Sequence, residues 1–135
     1  MKCYKCENGE MQKVEGRDQF TLVGAPTFTI TGFDWLKCNN PNCLNQVVTA
    51  EESDRLTMNR LKEVFDHYKT REHEVPDKVG HWILSALELP VNKFTELVGH
   101  LDSSTLSYGH NRHTTMNRDA AIVLLSLVSV KISEP

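Results

Sequence analysis

Cysteine is absent from the last two thirds of the chain, and long apolar runs are absent throughout. The 135 residues carry cysteine only at positions 3, 6, 38 and 43. No apolar run approaches the roughly 18 residues that span a membrane, and the chain begins without the apolar segment of a secretory signal. We therefore expect a cytoplasmic protein with no membrane association, in a compartment that keeps thiols reduced.

An excess of positive charge and the common catalytic motifs are also missing. The formal net charge is −3, with 15 Lys and Arg against 18 Asp and Glu, so the molecule is not a general polycation. The histidines are scattered and form no H-E-x-x-H pair, and no G-x-S-x-G nucleophile elbow occurs. We expect no enzymatic activity, no catalytic residues and no organic cofactor, although a local basic surface remains compatible with DNA binding.

The cysteines form two short pairs, C-x2-C at Cys3 and Cys6 and C-x4-C at Cys38 and Cys43. Two close pairs of thiolates suit a tetrahedral structural zinc site, and four sulfurs leave no open position for catalysis. The spacing therefore predicts one structural Zn²⁺ per chain. Two disulfides, or four unrelated buried thiols, are the alternatives. Gly9 lies where the turn after such a pair commonly needs a positive φ.

A small antiparallel sheet is expected between the two pairs, with the zinc at one end. Residues 27–31 alternate strictly between polar and apolar, which predicts a half-buried strand, and residues 19–23 are a second candidate. Thr49 and Glu52 then form a predicted capping box, followed by one apolar helical stripe at Leu61, Val64, Phe65 and Tyr68. These patterns predict a zinc-binding module with a bridging helix over residues 1–72.

The second half, residues 77–135, is predicted to be an all-α domain that follows an expected hinge over residues 70–77. Apolar residues repeat at helical spacing from Val79 to Leu87. Pro90 opens a second helix at its permitted first turn, and Gly99 ends that helix. Its predicted inner face consists of Val91, Phe94, Leu97 and Val98. The fold class is therefore α+β.

A short Ser/Thr-rich helix after Gly99 favours either a helix-turn-helix or a generic helical bundle. Basic residues and histidines cluster just after this short helix, where the phosphate backbone of bound DNA would run. They are His110, Arg112, His113 and Arg118.

The last helix is apolar on nearly every side. Either it is the central element of the core or its outer face meets a second copy of the chain. We expect a homodimer, which suits the two-fold DNA sites that helix-turn-helix proteins bind.

Several motifs together resemble the MqsA/YgiT-type family of zinc-finger/helix-turn-helix antitoxins. The motifs that carry the resemblance are Cys3-x-x-Cys6-x-x-Gly9-Glu10-Met11, the second cysteine pair, Glu51-Glu52-Ser53-Asp54, and residues 89–99 and 104–107. The resemblance implies an antitoxin of a type II toxin-antitoxin system. Its zinc module would engage a cognate ribonuclease toxin. Its helix-turn-helix (XRE-like) domain would dimerise and repress its own operon by binding a palindromic operator in double-stranded DNA.

The resemblance also implies site residues. The four cysteines would bind zinc. Ser103, Ser104 and Tyr108 fall where the recognition helix of the family meets base edges, and Asn92 and Lys93 lie near the phosphates. We add four further candidates for DNA binding, in the same helix and the loop that follows: Ser107, His110, Asn111 and Arg112. The chain departs from the family where Tyr108 replaces a base-reading arginine, and in the x4 spacing of the second pair. A protein-interaction adaptor, or a mobile-element regulator without a toxin partner, is the alternative function.

Overall fold

The computed structural model describes residues 1–98 and 115–134, and it confirms the predicted mixed α+β class. Short strands occupy the first third of the chain and helices follow. The strands are β1 (Met11–Glu15), β2 (Asp18–Phe20), β3 (Phe28–Ile30), β4 (Asp34–Cys38) and β5 (Gln46–Val47). The helices are α1 (Ala50–Tyr68), a short 3-10 helix (Glu72–Glu74), α2 (Asp77–Ala86), α3 (Val91–Val98) and α4 (Arg118–Ser133).

Three of the strands form an antiparallel sheet in which β4 lies between β1 and β5. Met11 of β1 pairs with Cys38 of β4, and Leu36 of β4 pairs with Val47 of β5. An isolated bridge between Lys2 and Glu10 extends the pairing toward the chain start. This register places Cys38, the last residue of β4, beside the first residues of the chain.

Strands β2 and β3 form a separate two-stranded sheet. Both strands are shorter than the sequence pattern predicts, because the connecting turn takes up residues that alternate like a strand. The Ala25 N–H donates to the Leu22 carbonyl at 3.0 Å. Gly24 has a φ of 87°, which glycine adopts without steric cost. The hydroxyls of Thr21 and Thr27, 2.8 Å apart, close the loop.

Helix α1 begins with only half of the predicted capping box. The Glu52 backbone N–H donates to the Thr49 hydroxyl at 3.3 Å. The Glu52 carboxylate instead accepts from the Asp34 backbone N–H at 2.7 Å and pairs with Arg55 at 2.7 Å. The side chain is therefore used to join α1 to β4, and it is 7% exposed.

The chain divides into two compact units. The first unit contains residues 1–19 and 29–59, and the second contains residues 20–28 and the described part of 60–135. This division runs through α1. The functional domains predicted over 1–72 and 77–135 remain a prediction, and each unit is described separately below.

The second unit is built on the apolar faces of its helices. Val79 and Ile83 of α2 and Phe94 of α3 are fully buried, at the positions that the helical spacing predicts. The prediction for Leu97 is wrong, because 59% of its surface is exposed. Leu97 lies about 60° around the helix axis from Phe94, which places it outside the buried stripe.

The segment expected to be a hinge is packed within the second unit. Val75 is 1% exposed, and its carbonyl accepts a hydrogen bond from the Met116 N–H at 2.9 Å. Pro76 forms an isolated β-bridge with Thr115. These contacts connect the start of α2 to the residues that precede α4.

Helix α4 buries one side and exposes apolar residues on the other. The Asn117 side chain caps the helix by accepting from the backbone N–H groups of Asp119 and Ala120. Val130 is 64% exposed and Ile122 is 37% exposed. The buried residues of the helix are Ala120, Ala121, Leu124, Leu125 and Val128. Within residues 1–98 and 115–134, no helix has both the length and the apolar character needed to cross a bilayer.

Candidate metal centre

Cys3 and Cys6 lie in a tight turn that backbone hydrogen bonds hold against the start of β1. The Cys3 N–H donates to the Gly9 carbonyl at 2.8 Å, and the Glu7 N–H donates to the Cys3 carbonyl at 3.0 Å. The N-terminal ammonium forms an ion pair with Glu10 at 3.1 Å. The first residues of the chain are therefore ordered by specific contacts, although chain termini are usually frayed.

Cys38 ends β4, and Cys43 lies in the loop that leads to β5. The Cys43 N–H donates to the Asn40 carbonyl at 2.9 Å, which makes a turn within the four-residue spacer. The Asn39 N–H donates to the Glu10 carbonyl at 3.0 Å, so this loop is also attached to the N-terminal segment. The turn lets a C-x4-C pair direct both sulfurs to the same point.

The four sulfur atoms converge as the spacing predicts, and all lie within 4.8 Å of one another. The Cys3 and Cys43 sulfurs are 3.8 Å apart, and those of Cys6 and Cys38 are 3.6 Å apart. A tetrahedron with metal–sulfur bonds of about 2.3 Å has sulfurs about 3.8 Å apart, whereas a disulfide needs about 2.05 Å. The arrangement fits a four-coordinate metal ion, and the alternatives of two disulfides or unrelated thiols do not match these distances.

Apolar neighbours enclose the sulfur cluster. Cys3 is 0% exposed, Cys38 is 4% exposed and Cys43 is 9% exposed, while Cys6 is half-buried. The side chains of Met11, Leu36 and Val47 pack against the cluster. Enclosure of this kind limits access of water and competing ligands to a bound ion.

Backbone amides lower the pKa of the two N-terminal thiols. The N–H of Cys6 has the largest effect on Cys3 and lowers its pKa to about 6, although burial opposes the shift. The N–H of Asn8 likewise lowers the pKa of Cys6. Hydrogen bonds to a thiolate favour the charged form that binds metals.

The C-terminal pair of thiols shows the opposite shift. The N–H of Asn40 lowers the pKa of Cys38, but burial and the neighbouring sulfurs raise it to about 12. The N–H of Asn45 lowers the pKa of Cys43, but burial and the nearby Cys6 sulfur raise it overall. Four thiolates so close together repel one another. A divalent cation at their centre would remove that repulsion, so the donor set fits a metal ion.

Gly9 contributes by close approach and not by the positive φ predicted for it. A side-chain carbon built at Gly9 would collide with the Cys38 sulfur. The positive φ of the turn belongs to Glu7, at 60°. Glycine is needed because the backbone of the N-terminal turn passes directly over the Cys38 sulfur.

Asn45 is a site residue that the sequence reasoning missed. Its side-chain amide donates to the Cys3 sulfur at 3.5 Å, and it is buried, with 7% of its surface exposed. The surrounding stretch contains other asparagines at positions 39, 40 and 42, which are typical of turns. Composition alone does not separate Asn45 from them.

The candidate DNA-binding residues are described only in part. Asn92 and Lys93 are exposed in the first turn of α3, and the Lys93 ammonium lies 3.9 Å from the Glu96 carboxylate. The remaining candidates lie outside the described residues: Ser103, Ser104, Ser107, Tyr108, His110, Asn111 and Arg112. The assignment of DNA contacts therefore remains a prediction.

Comparison of the chain with protein-family models and with curated proteins gave no match. The resemblance to the MqsA/YgiT-type antitoxins therefore depends on the motifs quoted above.

Proposed function

We propose that the protein is a zinc-containing antitoxin that acts as a dimeric transcriptional repressor. The convergence of Cys3, Cys6, Cys38 and Cys43 carries the proposal, because it is the part of the family pattern that the described residues bring together. The first unit would hold a structural Zn²⁺ and bind a toxin. The second half of the chain would bind operator DNA.

The metal is assigned as zinc on the chemistry of its ligands. Four thiolates in a tetrahedral arrangement suit Zn²⁺ or an iron–sulfur site, and a closed set of four ligands is typical of structural zinc. The test is metal analysis by plasma mass spectrometry of protein purified under reducing conditions without chelator. We expect one zinc per chain. Protein that is folded and free of metal would contradict the assignment.

Exposed apolar side chains next to the metal ligands support partner binding by the first unit. Tyr4 follows Cys3 and is 78% exposed, and Leu44 follows Cys43 and is 87% exposed. Each of them adjoins one cysteine of a pair whose sulfurs are 3.8 Å apart. Exposed apolar side chains beside such a site are candidates for contact with a protein partner.

Calorimetry with the protein encoded next to this chain tests the toxin assignment. We expect tight binding by the wild type and at least tenfold weaker binding after Tyr4→Ser with Leu44→Ser. Val23→Ser is the matched control, because Val23 is 67% exposed and belongs to the second unit. No binding by the wild type would contradict a toxin partner, and equal effects of the two changes would contradict the proposed surface.

DNA binding is proposed for α3 and the residues that follow it. Asn92 and Lys93 are exposed at the helix start, where phosphate contacts of a helix-turn-helix would form. The Lys93–Glu96 pair is exposed, with 62% and 68% of the two side chains accessible. Exposed pairs contribute about 1 kcal/mol or less, so a phosphate group can replace Glu96 as the partner of Lys93.

Fluorescence anisotropy with the DNA upstream of the gene tests this assignment at two salt concentrations. We expect binding that weakens as salt rises, and further weakening after Lys93→Glu or Arg112→Glu. Lys62→Glu on α1 is the matched control for added negative charge. Failure of the wild type to bind at low salt would contradict the repressor function.

A protein-interaction adaptor is the second candidate. The near balance of charge from residue 76 onward favours it, with five Lys and Arg against six Asp and Glu, as do the exposed Leu97 and Val130. Reversing the charge of Arg112 and Arg118 separates the two functions. A repressor would lose operator affinity, whereas an adaptor would keep its affinity for a protein partner.

A further inference from the structure

Asn45 occupies an unusual position for a polar side chain. Among the described residues, the buried polar or charged ones are Asn45, Glu52 and Asp77, and Asn45 is 7% exposed. It lies in the short segment between Cys43 and β5. Burial of an amide is unfavourable unless its donors and acceptors are bonded, so the contacts that Asn45 makes explain why it is there.

Those contacts reach one cysteine of each pair. The side-chain amide donates to the Cys3 sulfur at 3.5 Å and approaches the Met11 sulfur at 3.8 Å. The backbone carbonyl accepts from the Cys38 N–H at 3.1 Å. One residue therefore connects both ligand pairs.

We propose that Asn45 is a positioning residue for the metal ion, acting on the Cys3 sulfur through its side-chain amide. This inference rests on the proposed metal site. The amide donor holds the sulfur in its ligating position and stabilises negative charge on it. Donors of this kind around a metal site change metal affinity by roughly 10- to 100-fold when removed.

The side-chain contribution can be separated from the backbone contacts. Asn45→Leu keeps nearly the same size and removes the amide, while the backbone N–H and carbonyl remain. Asn45→Ala removes the same donor without introducing a larger apolar group. Asn42→Leu and Asn42→Ala are the matched controls for general disturbance of the loop, because Asn42 is exposed in the same loop.

Two measurements test the proposal on the full-length protein. The first is the rate at which a strong chelator removes zinc. The second is the sulfur-to-metal charge-transfer absorption after replacement of zinc by Co²⁺. Loss of a donor to a thiolate raises the energy of its lone pairs, so the band should move to longer wavelength. A role in packing alone would not move it.

For either Asn45 variant we expect at least tenfold faster zinc release and a shifted band, while the Asn42 variants behave like the wild type. Zinc release within twofold of wild type together with an unchanged band, in whichever Asn45 variant folds, would overturn the role of Asn45. A wild-type protein that binds neither Zn²⁺ nor Co²⁺ would instead overturn the proposed metal site, so the two failures are distinguishable.

Discussion

The first unit is organised around four cysteine sulfurs, whereas the second unit buries aliphatic and aromatic side chains contributed by helices. Next to the sulfurs, short strands and loops of the first unit are held by hydrogen bonds to backbone carbonyls and by the Asn45 amide that donates to the Cys3 sulfur. In the second unit, Val79, Ile83, Phe94 and Leu124 are fully buried. The first unit also buries Ile30 and Phe33. We expect its cysteine end to depend on the proposed metal ion, and the second unit to depend on the hydrophobic effect alone.

The two tryptophans of the chain allow this difference to be measured. Trp35 lies in the first unit and Trp82 in the second. Trp35 packs against Phe33 with ring centroids 5.5 Å apart, and Trp82 packs against Phe20 at 4.8 Å. The Trp82→Phe variant therefore reports on the first unit, and the Trp35→Phe variant reports on the second.

Metal removal should have the largest effect. When a chelator removes the metal under reducing conditions, we expect the Trp35 fluorescence to become that of the denatured protein. The reason is that the four thiols lose the ion that holds them together. We expect the melting temperature reported by Trp82 to change by less than about 4 °C. If chelation removed the folded signals of Trp35 and Trp82 equally, the proposed difference in metal dependence between the two units would be contradicted.

Phe94→Ala should have the next largest effect, confined to the second unit. Phe94 is 0% exposed, and truncation of a buried phenylalanine lowers the free energy of unfolding by about 3–5 kcal/mol. Denaturant unfolding followed by Trp82 measures the loss, and metal analysis should show unchanged loading. Leu97→Ala in the same helix is the control, with an expected loss below about 1 kcal/mol.

Glu52→Gln should destabilise the first unit even with metal bound. The change removes the charge that pairs with Arg55 and weakens the hydrogen bond from the Asp34 N–H, for an expected loss of about 1–3 kcal/mol. Unfolding followed by Trp35 measures it. Glu51→Gln is the matched control, since Glu51 is 83% exposed and 3.7 Å from the same arginine, and should cost less than about 0.5 kcal/mol. Equal losses would show that the buried position of Glu52 is unimportant.

Asn117→Ala should have the smallest effect and should act on the second unit. It removes the acceptor for two backbone N–H groups at the start of α4, which lowers the free energy of unfolding by about 1 kcal/mol. Thermal unfolding followed by Trp82 checks it. Asn117→Asp keeps the acceptor and should remain within about 0.5 kcal/mol of the wild type; an equal loss in both variants would contradict a capping role.

The sequence predicts the cysteine cluster well because metal ligands are constrained by chemistry and spacing. It also predicts the buried positions of α2, where Val79 and Ile83 share one helical stripe. It overestimates the strands around residues 21–27, because alternation of polar and apolar residues does not reveal where a turn closes.

Sequence patterns fail where a side chain finds a partner far along the chain. Glu52 has the position of a capping-box residue but bonds to Asp34. Asn45 resembles turn-forming asparagines but donates to Cys3, 42 residues away. In both cases the tertiary environment, and not the local pattern, determines what the side chain contacts. Leu97 fails for a different reason, because it fits the apolar repeat but lies outside the buried stripe.

X-ray absorption at the zinc edge is the sharpest test of a metal site built on four sulfurs, because it reports the element and its ligands together. For protein purified without added metal or chelator, we expect one zinc per chain with four sulfur neighbours at about 2.3 Å. A folded protein without zinc, or a zinc ion whose neighbours are mainly nitrogen or oxygen, would contradict it.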